Sequence, residues 1–163
     1  MTAPSRPKRK SGRGPKSRVP EWKKLEEDVA EYYRALAETE PIIYHRFYDT
    51  HAANMFLPSQ PGDHLIVKGG KAAVIETKYS SKYISLVGCF KAAVSAEQLA
   101  FARLWTRAGA NYWVLFKGRA GVELWYGEVL YQHHVRGTPL NRLEAACITD
   151  ELDEMLDHIL QIN

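Results

Sequence analysis

Two short apolar runs hinged on a double glycine limit what this chain can fold into more than any other feature. The stretch GDHLIVKGGKAAVIETK, Gly62 to Lys78, predicts strands over 63–68 and 71–78, with Gly69-Gly70 as a two-residue hairpin turn. In that register Lys68 pairs with Lys71 and Asp63 falls opposite Glu76. Alternation puts Leu65, Val67, Val74 and Lys78 on the same face as the two acids. Directly opposed residues have Cβ atoms about 4.5–5.5 Å apart, so two carboxylates so placed repel and need compensation. A divalent cation supplies it, and Mg²⁺ takes one or two carboxylates together with waters and phosphate oxygens. Lys78, one step along the face, suits a phosphate or a water beside that cation. Acids at strand ends also commonly just face water, and Asp is an ordinary turn residue. The apolar setting of Glu76 and Lys78 within AAVIETK favours a built site.

The flanking pattern predicts the remaining elements. Trp22, Leu25, Val29, Tyr32 and Leu36 recur at helical spacing over 21–38, with Pro41 just beyond. On that helix Glu27 points away from the apolar face, while Glu26 and Asp28 lie on its two edges; spacing does not choose between them. IIYHRFY (42–48) reads as a strand and 49–61 as a loop. Residues 79–94 fit no single pattern. Ser95 opens a helix that Gly109 ends, with Phe101, Leu104, Trp105 and Ala108 as its expected buried stripe. Strands are expected over 111–117 and 122–131, irregular chain over 132–148, and a closing acidic helix with Leu152, Met155, Leu156, Ile159 and Leu160 inward. This order predicts an α/β fold, a central mixed sheet flanked by helices.

Charge and composition narrow the function classes. A chain of 163 residues with 45% apolar side chains fits one domain with a real core. No apolar run approaches the roughly 20 residues that cross a membrane, and the N-terminal residues contain no signal-peptide apolar region. Cys89 and Cys147 are far apart and form no CxxC zinc pattern, so they read as small buried hydrophobes in a reducing cytosol. The net charge of +3 hides an asymmetry. Residues 1–20 hold Arg6, Lys8, Arg9, Lys10, Arg13, Lys16 and Arg18 and no acid. The rest keeps 15 of the 22 Lys and Arg against all 19 Asp and Glu. A Pro- and Gly-rich basic segment of this kind cannot bury a core and reads as a disordered tail on a domain spanning 21–163. It suits a polyanion, nucleic acid first, although a solubilising or targeting tail has the same composition. By alternation His64 points away from the acidic face. His133 and His134 fall in an expected loop, and all the histidines read as ordinary surface or partly buried side chains. Tyr44, Phe47, Trp113 and Trp125 suit core packing, with a dimer interface as the alternative.

An acidic first helix (LEEDVAEYY), Gly62-Asp63 opening one strand, Glu76-Thr77-Lys78 on the next, and SAEQLAFARL opening the following helix together resemble the PD-(D/E)XK nuclease superfamily. Within it they are most similar to the RecU-type Holliday junction resolvases. The resemblance covers roughly residues 20–130 and rests on a few short segments. It implies a restriction-endonuclease-like core and a homodimeric, Mg²⁺-dependent endonuclease, with Mn²⁺ as a substitute, that hydrolyses phosphodiester bonds in four-way junctions or other branched DNA. Its setting would be the cytoplasm of a bacterial or phage-infected cell. It selects Glu26 rather than Asp28 as the helix carboxylate, holding a second metal or a water. It makes Asp63, Glu76 and the Thr77 backbone carbonyl metal ligands, and Lys78 the group that orients the attacking water or steadies charge on the phosphate. Gln98 acquires a place near the scissile phosphate, while Ser95-x-x-Gln98 also reads as a capping box. Lys68, Lys71, Lys82, Lys91, Lys117 and Arg119 join the tail as phosphate-contacting candidates. The chain departs from the family in the short segment before Gly62, where RecU proteins insert a longer junction-engaging stalk. Flap, fork or restriction-type cleavage therefore stays open, as does a non-catalytic nucleic-acid-binding protein of the same fold.

Overall fold

The computed structural model describes residues 19–47 and 60–161. The basic segment 1–18, including all seven of its cations, and the loop 49–59 lie outside the described residues, as does Tyr48 of the expected first strand. The chain runs α1 (Glu21–Ala37), β1 (Ile42–Arg46), β2 (His64–Lys68), β3 (Lys71–Tyr79), a short 3-10 turn, α2 (Phe90–Ala93), α3 (Ala96–Arg107), β4 (Asn111–Gly118), β5 (Gly121–Tyr126), α4 (Gly127–Arg136), a second 3-10 turn, β6 (Cys147–Thr149) and α5 (Leu152–Gln161). The six strands form one sheet in sequence order. Its neighbours pair antiparallel except β3 and β4, which are parallel. A parallel pair needs a crossover connection, and α2 and α3 supply it. The expected α/β architecture, a mixed sheet flanked by helices, is the one observed. No helix among the described residues is long and apolar enough to cross a membrane.

Each face of the sheet buries a separate apolar cluster. Leu25, Val29 and Tyr33 of α1 and Met155, Leu156 and Ile159 of α5 cover one face, against Ile66, Ile75, Trp113, Leu115 and Leu124. Leu99 and Ala102 of α3 and Leu130 of α4 cover the other, against Val74, Tyr112, Val114, Phe116 and Trp125. Side-chain alternation along β3 thus sends Ile75 to the α1 face and Val74 and Glu76 to the α3 face. Of the tryptophans, Trp113 at 6% and Trp125 at 0% exposure lie in the core as expected, whereas Trp22 is 45% exposed.

Three local expectations are corrected. The strand expected over 122–131 ends at Tyr126, and residues 127–136 are helical. The segment VELWYGEVLY is rich in β-favouring residues, but Gly127 lets α4 turn in against α3. A Cβ there would lie 2.7 Å from that of Ala102 and 3.0 Å from the Tyr112 carbonyl. His133 and His134 therefore sit on α4, which Gly137 closes at a left-handed φ of 66°. Residues 132–148 are correspondingly more regular than expected, ending in the edge strand β6. On α3 the buried positions are Leu99 and Ala102, while Leu104 is 61% exposed and Ala108 is exposed too. Contact with α4 as well as β4 turns the helix toward its small residues. The closing helix buries Met155, Leu156 and Ile159, with Leu152 and Leu160 half-buried, as its periodicity predicts.

Glu123 is a buried acid that no sequence pattern marked. Only 1% exposed on β5, it accepts hydrogen bonds from Ser85 Oγ (2.9 Å), the Leu86 amide (3.1 Å), Trp125 Nε1 (3.1 Å) and Arg142 Nε (2.7 Å). The carboxylate fastens the segment after β3, and the one before β6, to the sheet. Removing it strands several buried donors, so Glu123→Ala should cost about 3 kcal/mol, read as a lowered urea midpoint with an unchanged slope. An unaltered midpoint would contradict this role.

Candidate active site

The β2–β3 ladder has the expected register, from Lys68↔Lys71 at the turn to His64↔Ile75, and Gly69 and Gly70 take the positive φ values, 59° and 79°, that this turn demands. The expected direct opposition of Asp63 and Glu76 is corrected. The ladder stops at His64, the Asp63 amide donates to the Ile75 carbonyl at 3.0 Å, and the Asp63 carboxylate turns toward Thr77. Its Oδ2 accepts from the Thr77 amide at 2.7 Å and from Thr77 Oγ1 at 2.6 Å. Gly62 permits this close entry, since a Cβ on it would lie 2.6 Å from Val74 Cγ1. Thr77 is thus a positioning side chain that the sequence reading passed over, having considered only its carbonyl.

Glu76 is 6% exposed. Its Oε1 pairs with Lys78 Nζ at 2.8 Å and accepts a hydrogen bond from Gln98 Nε2. The two readings of Gln98 coexist. Its Oε1 accepts from the Ser95 amide at 3.0 Å, closing a capping box with Ser95 Oγ, while its amide nitrogen holds Glu76. Burial, and then the nearby Asp63 charge, push the Glu76 carboxyl up to about 7, against the lowering pull of Lys78. Desolvation outweighs one ion pair because the carboxylate lies within the apolar sheet face. Tyr112, paired with Val74 on β4, is fully buried nearby. Its hydroxyl is without a hydrogen-bond partner among the described residues.

Glu26 is partly buried near the start of α1, and Asp28 is exposed. Burial first, and then Asp63, raise the Glu26 carboxyl, and Glu26 in turn contributes to the rise at Glu76. The Asp63 charge thus bears on both glutamates, and that of Glu26 on Glu76. Arg46, at the end of β1 and paired with His64, reaches Glu26 Oε2 at 3.1 Å and also binds Glu27. Glu27, expected to point away from the apolar face, is 45% exposed and is drawn between Arg46 and Arg34, the latter at 3.0 Å. An arginine closing an apolar strand after an acidic helix was the available signal for this contact. His64 is fully buried on the α1 face with Tyr44 Oη 2.9 Å from its Nδ1, and burial pushes its pKa down to about 3. It is neutral and apart from the acidic face, as alternation predicts.

The donors fit a hard divalent cation. Asp63 and Glu76 each keep acceptor capacity beyond the bonds above, and Mg²⁺ characteristically needs only one or two carboxylates from the protein. Among the described residues, however, no three His, Cys, Asp or Glu side chains are gathered as a ready-made metal cage.

The basic candidates separate by position. Lys68 and Lys71 flank the hairpin turn, and Lys71 precedes Glu76 by five residues, roughly 17 Å along the strand. Lys68 is engaged by Glu40 at 2.7 Å. Lys117 pairs with Tyr79 at the Lys78 end, and Lys82 and Arg119 follow in adjoining turns. Lys91 lies exposed on α2.

No family model matches the chain, and no curated protein matches it in sequence. Among solved structures it is similar to that of Hjc from Archaeoglobus fulgidus, a Holliday junction resolvase from an archaeal hyperthermophile. The two are 16% identical with a TM-score of 0.42, and the match covers 66% of this chain and 76% of that one.

The Glu76 environment has a measurable consequence. From its ordinary value near 4.5 the carboxyl rises to about 7, so between those values the folded chain holds a proton that the unfolded chain has released. This site's contribution to stability is greatest below about pH 4.5 and falls as pH climbs through about 7. In metal-free buffer Glu76→Gln should be more stable than wild type above neutrality, and the gain should shrink toward acid. Parallel pH–stability curves would contradict the shift.

Proposed function

We propose that this chain is a divalent-metal-dependent endodeoxyribonuclease of the PD-(D/E)XK type, with a restriction-endonuclease-like core, acting on branched DNA and foremost on four-way junctions. The observation that carries the proposal is the gathering of Asp63, buried Glu76 and Lys78 around one strand end, with Glu26 close enough to raise the Glu76 carboxyl.

A divalent cation between Asp63 and Glu76, Mg²⁺ or in its place Mn²⁺, would offset their repulsion and supply the Lewis-acid charge that phosphodiester hydrolysis draws on. The Thr77 carbonyl and Glu26 complete the candidate donor set. Thr77 fixes the Asp63 carboxylate through its amide and hydroxyl, and Gln98 fixes Glu76 through its side-chain nitrogen. Lys78, only 20% exposed and 2.8 Å from Glu76, is held where it can orient the attacking water or take up negative charge on a phosphate oxygen. Glu26, tied to Arg46, would hold a water or a second ion. A four-way junction presents two strands for cutting, which favours a homodimer with paired sites. The RecU-type reading adds a DNA-contacting role for the basic N-terminal residues.

The test is cleavage of labelled four-way junction, flap, linear duplex and single-stranded DNA with and without Mg²⁺. Wild type should cut the junction only with metal. Asp63→Ala should abolish cutting while leaving DNA affinity in metal-free buffer near wild type. Lys78→Ala should lose about 10²–10⁴-fold in rate, and Gln98→Ala about 10–100-fold. Undiminished Mg²⁺-dependent cleavage by Asp63→Ala would sink the site assignment. A preference for flaps would move the substrate to replication forks, and binding without cleavage under any metal would leave a non-catalytic DNA-binding protein.

A further inference from the structure

We propose that the segment after β3, locked to the β4–β5 turn, is a preformed ledge that seats the DNA sugar-phosphate backbone beyond the cleaved bond, through Lys82, Lys117 and Arg119. It rests on the nuclease reading for where the chemistry lies, but its chemistry is its own: fixed cations for phosphates.

Position comes from the sheet. Pairing of Tyr79 with Lys117 sets the ends of β3 and β4 side by side, so the segment leaves the sheet next to Lys78 and Glu76. Rigidity comes from the backbone. The Ser80 amide donates to the Lys117 carbonyl at 3.0 Å, and the Arg119 amide to the Tyr83 carbonyl at 3.0 Å. Ser80 Oγ accepts from the amides of Lys82 and Tyr83, both at 3.2 Å. Gly118 permits the closure, because a Cβ there would lie 2.6 Å from the Ile84 carbonyl oxygen and 2.9 Å from that of Tyr83. Glu123 clamps the far end of the segment at Ser85 and Leu86.

Charge completes the case. Lys68, Arg46, Arg103 and Arg142 are all spent on acids. Lys82, Lys117 and Arg119 take part in none of the ion pairs among the described residues, and Lys82 and Arg119 are exposed. Lys82 Nζ stands 5.3 Å from the Tyr83 ring centroid, which steadies it without neutralising it. Asp150 is the acid at this turn, and it closes on Gly121, its Oδ1 2.8 Å from where a Cβ would stand, without pairing with Arg119. Cations carried on a backbone already ordered lose less freedom on binding. Phosphate contacts of this kind set register rather than sequence.

The experiment compares wild type, Lys82→Ala/Arg119→Ala, and Arg107→Ala/Arg136→Ala, at the ends of α3 and α4, as full-length chains. The control pair removes the same charge from exposed positions off the ledge. Affinity for a fluorescent linear duplex and a four-way junction is followed across a salt series without divalent metal, and thermal melts check folding. The slope of log affinity against log salt should fall by about 2 in the ledge variant and hold in the control. An unchanged ledge slope, or an equal fall in the control, would overturn the ledge. Mg²⁺-dependent cleavage by the same preparations separates the two proposals. Ledge-dependent binding without any cutting removes the nuclease reading alone, whereas cutting with an unchanged ledge slope removes the ledge alone. No DNA binding by wild type at low salt removes both.

Discussion

Glu76 enters the sheet on β3 between Ile75 and Thr77, on a face otherwise given to Val74, Val114 and Phe116. A bare carboxylate in such a place costs several kcal/mol, and the surrounding elements are disposed to offset that cost. Lys78 brings a cation from two residues along the same strand, and Gln98 brings a donor from α3. The crossover that carries α3 is itself required because β3 and β4 run parallel. The chain topology and the polar anchoring of Glu76 are therefore one arrangement, and the residual rise of its carboxyl toward 7 measures how incomplete the compensation is.

That incompleteness has the same sign at every acid whose shift is traced to this site. Asp63 raises Glu76 and Glu26, and Glu26 raises Glu76. Fixed bonds from Thr77, Gln98 and Arg46 keep the carboxylates in place when relaxation would separate them. Carboxylates held in place with their repulsion only partly offset are what the proposed hard cation would neutralise.

Polar anchoring recurs at Glu123, with a different outcome. Its carboxylate is satisfied by donors from three separate stretches of chain, and it organises the loops rather than inviting a ligand. Between the two buried acids lies the segment from Ser80 to Leu86, pinned at one end to β4 and at the other to Glu123. A stretch that fits neither helix nor strand spacing owes its order to these contacts, and so its form could not be read locally.

The sequence by itself determined the hairpin and its register, the two apolar clusters' strands, the outer helices, and the candidacy of Asp63, Glu76 and Lys78. These depend on period-2 and helical spacing, a glycine turn and capping residues, all local in the chain. Glu26 needed the family resemblance as well, since spacing alone left Asp28 in contention. Only tertiary structure decided that Asp63 turns to Thr77 rather than facing Glu76 across the ladder, and that Gln98 serves helix and carboxylate together. The same holds for Arg46 joining Glu26, for α4 replacing the end of a strand, and for which cations stand free beside the site. Each of these is a contact between residues distant in sequence, fixed by which atoms can approach once Gly62, Gly118 and Gly127 let the backbones close. Distance along the chain carries no record of such approaches, because they follow from steric fit and charge rather than from periodicity.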